Sequence, residues 1–142
     1  MRRPTHHRVQ ARCRTLPITY NVLAEATGHW EWESTGYQSG LRTPATQGFT
    51  RQVVFATEGQ LTVRRNGQPY YQTTFQLSQG PAGPCVGPND PLITFTSEAD
   101  LSNSDAKIYR LSQQNGQRQL QLVGAGACFD AGASETYHWI AE

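Results

Sequence analysis

Glu31 and Glu33 stand two positions apart in the run GHWEWESTG, residues 28–36. On an extended strand they share a face, about 6.6 Å apart along the chain. That is close to the roughly 6.5–9.5 Å between the acid and the base of an inverting glycosidase. Such a pair works only when burial holds one carboxyl protonated. No neighbouring residue here implies a buried polar pocket, so the expectation is a solvated strand face. The histidines are His6, His7, His29 and His138. His29 and His138 come together if the first and last strands of a sheet meet, but two imidazoles do not complete a structural zinc site. An ion pair of His138 with Glu31 or Glu33 is the expectation. The run SEADLSNSDA holds Glu98, Asp100 and Asp105 but lacks the alternating ligands and central glycine of a calcium loop. No nucleophile elbow and no phosphate-cradling loop followed by lysine occurs. No catalytic residue, metal or cofactor is therefore assigned, and the chain is read as a non-enzyme.

Cysteine chemistry is the remaining candidate. Of three cysteines, Cys13 lies near the start, while Cys85 and Cys128 lie in the Gly-rich segments GPAGPCVGP and GAGACFD. Loop cysteines of small β-domains pair in oxidising compartments, so a Cys85–Cys128 disulfide is expected. Two free thiols in a reducing compartment are the alternative.

The elements that must carry these residues are strands. Apolar residues alternate with polar ones, and Gly-containing turns punctuate the runs. QLTVRR and QPYYQTTFQL flank Asn66-Gly67, RQVVFAT and QL flank Glu58-Gly59, and KIYRLS and RQLQLV flank QQNGQ. Asn-Gly supplies the positive φ angles of tight primed turns. HWEWES, PLITFTS and SETYHWIAE complete eight candidate strands. The long connections are Gly36 to Phe49, Gly80 to Pro91, SEADLSNSDA and Gly124 to Gly132.

Eight sequential antiparallel strands, each apolar on one face and with no helices to cover them, must hide those faces. Closing the sheet does so and removes both edges. The predicted fold is an all-β, eight-stranded up-and-down antiparallel barrel, with a β-sandwich as the alternative. Trp30 and Trp32 then share the interior face, while His29, Glu31 and Glu33 face water. The interior set includes Trp32, Phe55, Val63, Tyr71, Phe75, Phe95, Leu122, Tyr137 and Trp139, joined by Val53, Leu61, Ile93 and Leu120. Such a barrel either fills with side chains or holds one small ligand. In the second case the first nine line the site, with Tyr71 and Tyr137 as polar anchors.

The chain of 142 residues fits one domain. Five arginines and no acid occupy the first fourteen positions; the rest carries 7 basic and 11 acidic residues, a net −4. That body has no basic footprint for nucleic acid. Residues 1–27 read as a flexible basic tail or leader remnant, and residues 28–142 as the barrel domain. Leu16 to Ala26 is interrupted by Pro17, Thr19, Asn21 and Glu25, so no secretory apolar core follows the charges. No stretch approaches a membrane-spanning helix.

Gly28-His29-Trp30 resembles the Gly-x-Trp signature that opens the first strand of lipocalins. The ordered series TPATQGFT, VVFATEG, the Asn-Gly turn, TTFQL, ITF and LQLVGAGACFDAGASETYHW is similar to lipocalin-like domains of secreted proteins and lipoproteins of Bacteroidota. The resemblance covers residues 28 to 140. It implies an extracytoplasmic setting, secreted, periplasmic or surface-anchored, and a small apolar or amphipathic ligand in the barrel. Lipocalins usually place Arg or Lys of the last strand over the first Trp; here that strand offers His138, outward by alternation. The alternative function is a filled barrel that meets a protein partner through its loops and exposed aromatics such as Tyr37, Tyr70 and Phe129.

Overall fold

A computed structural model describes residues 23, 27–56, 58–81, 83, 85–96, 106–125 and 133–142. The basic start, Cys13, Cys128 and Phe129 lie outside the described residues. The elements bounded within the described residues are β1 (Gly28–Tyr37), β2 (Gly40–Arg42), α1 (Pro44–Gln47), β3 (Arg51–Phe55), β4 (Gln60–Arg65), β5 (Gln68–Gln79), β6 (Pro91–Phe95), β7 (Lys107–Gln114), β8 (Gln117–Gly124) and β9 (Ser134–Ala141). They form one antiparallel sheet in the order β2-β1-β3-β4-β5-β6-β7-β8-β9, and β1 also pairs with β9. The sheet thus closes in a ring. Eight strands match the alternating runs. The ninth, β2, and the helix α1 occupy the segment Gly36 to Phe49, expected to be a plain connection.

The turns follow their residues. Asn66 and Gly67 have φ of 52° and 78°, and Asn115 and Gly116 have 55° and 77°, the pair of positive angles that a primed hairpin turn needs. Alternation then assigns the faces. Trp30 and Trp32 are 0% and 2% exposed, while His29, Glu31 and Glu33 are half-buried. One core joins Trp30, Trp32, Val53, Phe55, Leu61, Val63, Phe75, Ile93, Phe95, Tyr109, Leu120, Leu122 and Tyr137, with Tyr71 and Trp139 partly buried against it. Rings supply much of its contact: Phe55 meets Phe75 edge-on at 5.1 Å, as Trp30 meets Trp139. Each such pair adds about 0.5–1.5 kcal/mol beyond burial.

Two features depart from the alternating pattern. Leu23 is 1% exposed and belongs to the core, and its carbonyl accepts a hydrogen bond from Trp30 Nε1 at 3.2 Å. Leu23, upstream of Gly28, is thus packed with the core residues of the sheet. The second feature is an outer cluster of Val86, Leu92, Ile108 and Ala125, with Ala106 and Val123 against it. The β5–β6 connection lies over the outer face of β6, β7 and β8. Apolar Leu92 and Ile108 point away from the ring and are covered by that connection. Gly80 N donates to Asp90 O at 2.9 Å and Gly87 N to Asp90 Oδ2 at 2.7 Å, which shapes the covering segment.

Candidate functional site

One mouth of the ring is built from the end of β1, the start of β3, the end of β4 and the start of β9. β1 and β3 pair only at Trp30↔Val53 and Glu31↔Gln52. Farther along, the same edge of β1 pairs with β2 instead, from Thr35↔Arg42 to Tyr37↔Gly40. Against β9 the register slips between Trp32 and Ser34, so Glu33 is the extra residue. The bulge moves the inward position from even to odd numbers: Trp32 and Thr35 are both buried. Bulges at barrel rims re-aim side chains in this way. Trp32 Nε1 donates to Thr35 Oγ1 at 2.9 Å across the slip.

The gap between the diverging β1 and β3 is bridged by α1. Thr43 caps it, accepting from Thr46 N, Pro44 opens its first turn, and Gly48 closes it with φ of 83°. That local sequence fixes the entry of Phe49, whose ring stacks on Trp32 at 5.9 Å and 20°. The result is a cavity of about 230 Å3 lined by Trp32, Thr35, Tyr37, Arg42, Gln47, Phe49, Arg51, Arg65 and Glu135.

Its charged groups are held by rings and by one another. Arg51 is 5% exposed; its guanidinium lies 4.4 Å from the centre of the Trp32 ring. Arg51 Nη1 donates to Tyr137 Oη at 3.2 Å and sits 3.8 Å from Glu135 Oε2. Tyr137 Oη donates in turn to Glu135 Oε1 at 3.0 Å. Burial, and then the charge of Glu135, push the Tyr137 phenol well above its ordinary pKa, so it keeps its proton as a donor. Arg65 is placed between Phe49 and Tyr70, 3.9 and 4.2 Å from their centres. Arg42 stands 4.5 Å over Tyr37.

Of the nine residues expected to line an interior site, Trp32, Phe55, Val63, Phe75, Phe95, Leu122 and Tyr137 are buried in the core. Among them only Trp32 lines the mouth cavity. Tyr71 lines a separate outer groove with Thr62, Arg64, Pro69, Tyr70 and Gln72. Trp139 lies at the other mouth beside Trp30. The guanidinium of Arg118, from β8, stands 5.5 and 5.3 Å from these two rings. The cation over the first tryptophan thus comes from the penultimate strand.

Alternation had the means to find the charged members of the mouth. Arg51 shares parity with Val53 and Phe55, Arg65 with Leu61 and Val63, and Glu135 with Tyr137. Charge at strand ends hid them, because charged residues are normally taken as solvent-facing. The signal for α1 is Thr43-Pro44 before it and Gly48 after it.

The outer residues singled out for chemistry are tied up in pairs. His138 Nδ1 lies 2.9 Å from Glu33 Oε2, the ion pair expected. His29 Nε2 lies 2.9 Å from Glu31 Oε1, and its Nδ1 faces Glu142. Glu31 Oε2 also accepts from Gln52 Nε2 at 3.0 Å. Among the described residues no group of three or more His, Cys, Asp and Glu is placed to hold a metal ion, and no helix is long and apolar enough to cross a membrane. Cys85 is disulfide-bonded; Cys128, the expected partner, lies outside the described residues. No protein-family model, curated protein or solved structure matches this chain.

Proposed function

We propose that this protein is a binding module that holds a small amphipathic ligand at the mouth between β1, α1 and β3. The observation that carries this reading is the cavity of about 230 Å3, in which Trp32, Phe49 and Tyr37 form apolar walls beside the buried Arg51. Small-molecule sites combine such walls with a few convergent polar groups. The volume falls below the roughly 300 Å3 at which drug-sized pockets begin, which favours a ligand of about one ring. The ring-filled core supports a site at the mouth over one deep in the barrel.

In this reading the protein is a lipocalin-like binder that works outside the cytoplasm and catalyses nothing. The disulfide at Cys85 supports an oxidising setting. Its partner in this proposal is Cys128: Gly83, two residues before Cys85, lies against Ala125, three residues before Cys128. A second reading, a protein partner at the same rim, is favoured by Leu41 and Tyr70, which are 62% and 45% exposed.

A mouth-blocking variant separates the two. Gln47 is exposed and lines the cavity, so Gln47→Trp fills the entrance without entering the core. In a thermal-shift screen of one-ring amphipathic compounds, hits on the natural protein should vanish with this variant. Hits that persist unchanged overturn the mouth as the site.

A further inference from the structure

The outer groove on β4 and β5 is a second concave surface, separate from the mouth cavity. Its volume is about 480 Å3, and Thr62, Arg64, Pro69, Tyr70, Tyr71 and Gln72 line it. It lies at a fault in the sheet. The β4–β5 register passes from Val63↔Tyr71 to Arg64↔Pro69, so Tyr70 is an extra residue on β5. Bulges re-aim side chains, and Tyr70 is 45% exposed. Its ring is nonetheless held. The Arg65 guanidinium stands 4.2 Å from the ring centre, and the Tyr71 ring meets it at 5.5 Å and 73°. A rigid aromatic surface of this kind loses little conformational entropy when a ligand covers it.

Polar groups of one kind continue from the groove along the outer face. Thr62 stands opposite Gln72, and Gln60 opposite Thr74. Gln72 Nε2 donates to Thr62 Oγ1 at 3.4 Å, and the Thr74 and Thr96 hydroxyls share a hydrogen bond. Gln60, Gln72, Thr74, Gln76 and Thr96 are exposed. From Gln72 to Gln76 this face extends about 13 Å, at about 3.3 Å per residue. The side chains just named are all amides and hydroxyls. Among the described residues that line the groove, Arg64 alone is charged. Amides and hydroxyls both donate and accept, so they suit a ligand that presents rows of hydroxyls. A proline-rich peptide, another ligand of aromatic grooves, presents backbone carbonyls without hydroxyls and leaves the acceptors of this face unmatched.

We propose that the groove binds a short neutral oligosaccharide, a ribbon-like chain of pyranose units with equatorial hydroxyls. Such a unit has apolar C–H faces and a rim of hydroxyls. One unit lies with a C–H face on the exposed Tyr70 ring, whose negative face attracts the C–H dipoles. The Gln72 amide and the Arg64 guanidinium meet its rim. The next units run along the Thr62–Gln72 and Gln60–Thr74 pairs, and a straight chain is needed because the track is a strand face. This site shares no lining residue with the mouth and stands whether or not the mouth holds a ligand.

Titration calorimetry of the full chain with cellohexaose tests it. Cellohexaose should bind, and added salt should leave its affinity unchanged, because the ligand is neutral. Tyr70 is exposed, so Tyr70→Ala should fold normally and bind about tenfold more weakly, the loss expected for one stacked ring. Tyr70→Phe keeps the ring and should bind as the natural protein does. Gln72→Ala, also at an exposed position, should weaken binding several-fold through its lost hydrogen bonds. Maltohexaose, built of the same units on a curved chain, should bind more weakly than cellohexaose. Absence of cellohexaose binding overturns the proposal, and decaproline binding in its place, lost in Tyr70→Ala, makes the groove a peptide site. Binding that Tyr70→Ala leaves unchanged overturns the groove as the site. Binding lost in Gln47→Trp moves the saccharide to the mouth and overturns the groove likewise. Maltohexaose matching cellohexaose overturns the ribbon shape alone.

Discussion

Gly28 is the residue that lets the first and last strands meet at full contact. A side chain there would overlap the ring of Trp139 and the carbonyl of Ile140. Trp139 in turn packs edge-on against Trp30, and Arg118 stands over both. Replacement by alanine must push a ring or a strand aside, and overpacking of this kind costs about 1–3 kcal/mol. Gly28→Ala should therefore lower the melting temperature by several degrees. Gly36 lies on the same strand, where an added Cβ meets nothing closer than 3.9 Å. Gly36→Ala should change stability much less, and equal losses in the two variants would refute the steric account. The glycine of Gly28-His29-Trp30 thus has a packing reason of its own, independent of any resemblance.

At the scale of elements, most of the sheet was legible because its rules are local. Alternation fixed the inward face of β1, β3, β4, β6, β8 and β9, and the Asn-Gly pairs fixed two hairpins. What stayed hidden depends on distant parts. The slip at Glu33 arises only when β9 is laid against β1, and it turns Thr35 inward. Leu23 joins the core beside Trp30, whose indole donates to its carbonyl. The covering of Leu92 and Ile108 by the β5–β6 connection left one trace: PLITF is apolar on both faces, as strands buried on both sides are. That connection carries a prediction. Under the proposed Cys85–Cys128 pairing the bridge encloses 42 intervening residues, a loop to which the chain-entropy account assigns about 4 kcal/mol. Peptide mapping without reduction should recover the two cysteines in one linked fragment. Reduction should lower the melting temperature and raise amide exchange first in residues 80–90, where Val86 anchors the segment. Linkage of Cys85 to Cys13 instead would overturn the pairing.

At the scale of the whole molecule, the closing seam of the ring is tied by side chains as well as by its backbone ladder. Tyr137 sits on β9 between Trp32 of β1 and Leu120 of β8. Its hydroxyl reaches Arg51 on β3 and Glu135 on its own strand, so one side chain connects β9 to β3 past the intervening β1. Burial and the neighbouring Glu135 hold its pKa well above the ordinary value, and the linkage follows from that direction. In the unfolded chain this phenol ionises near pH 10, while in the folded protein it stays protonated to higher pH. Above about pH 10 the unfolded state therefore binds fewer protons than the folded state, and stability falls as pH rises, by up to about 1.4 kcal/mol per pH unit for this one group. Below that pH the group contributes no slope. Tyr137→Phe removes the titration together with two hydrogen bonds. It should thus be less stable than the natural protein at neutral pH yet lose stability less steeply above pH 10. Denaturant titrations of both proteins between neutral and strongly alkaline pH measure the two slopes. Parallel slopes would show that Tyr137 ionises alike in both states, and the phenol would then not be the proton-holding tie between β9 and β3.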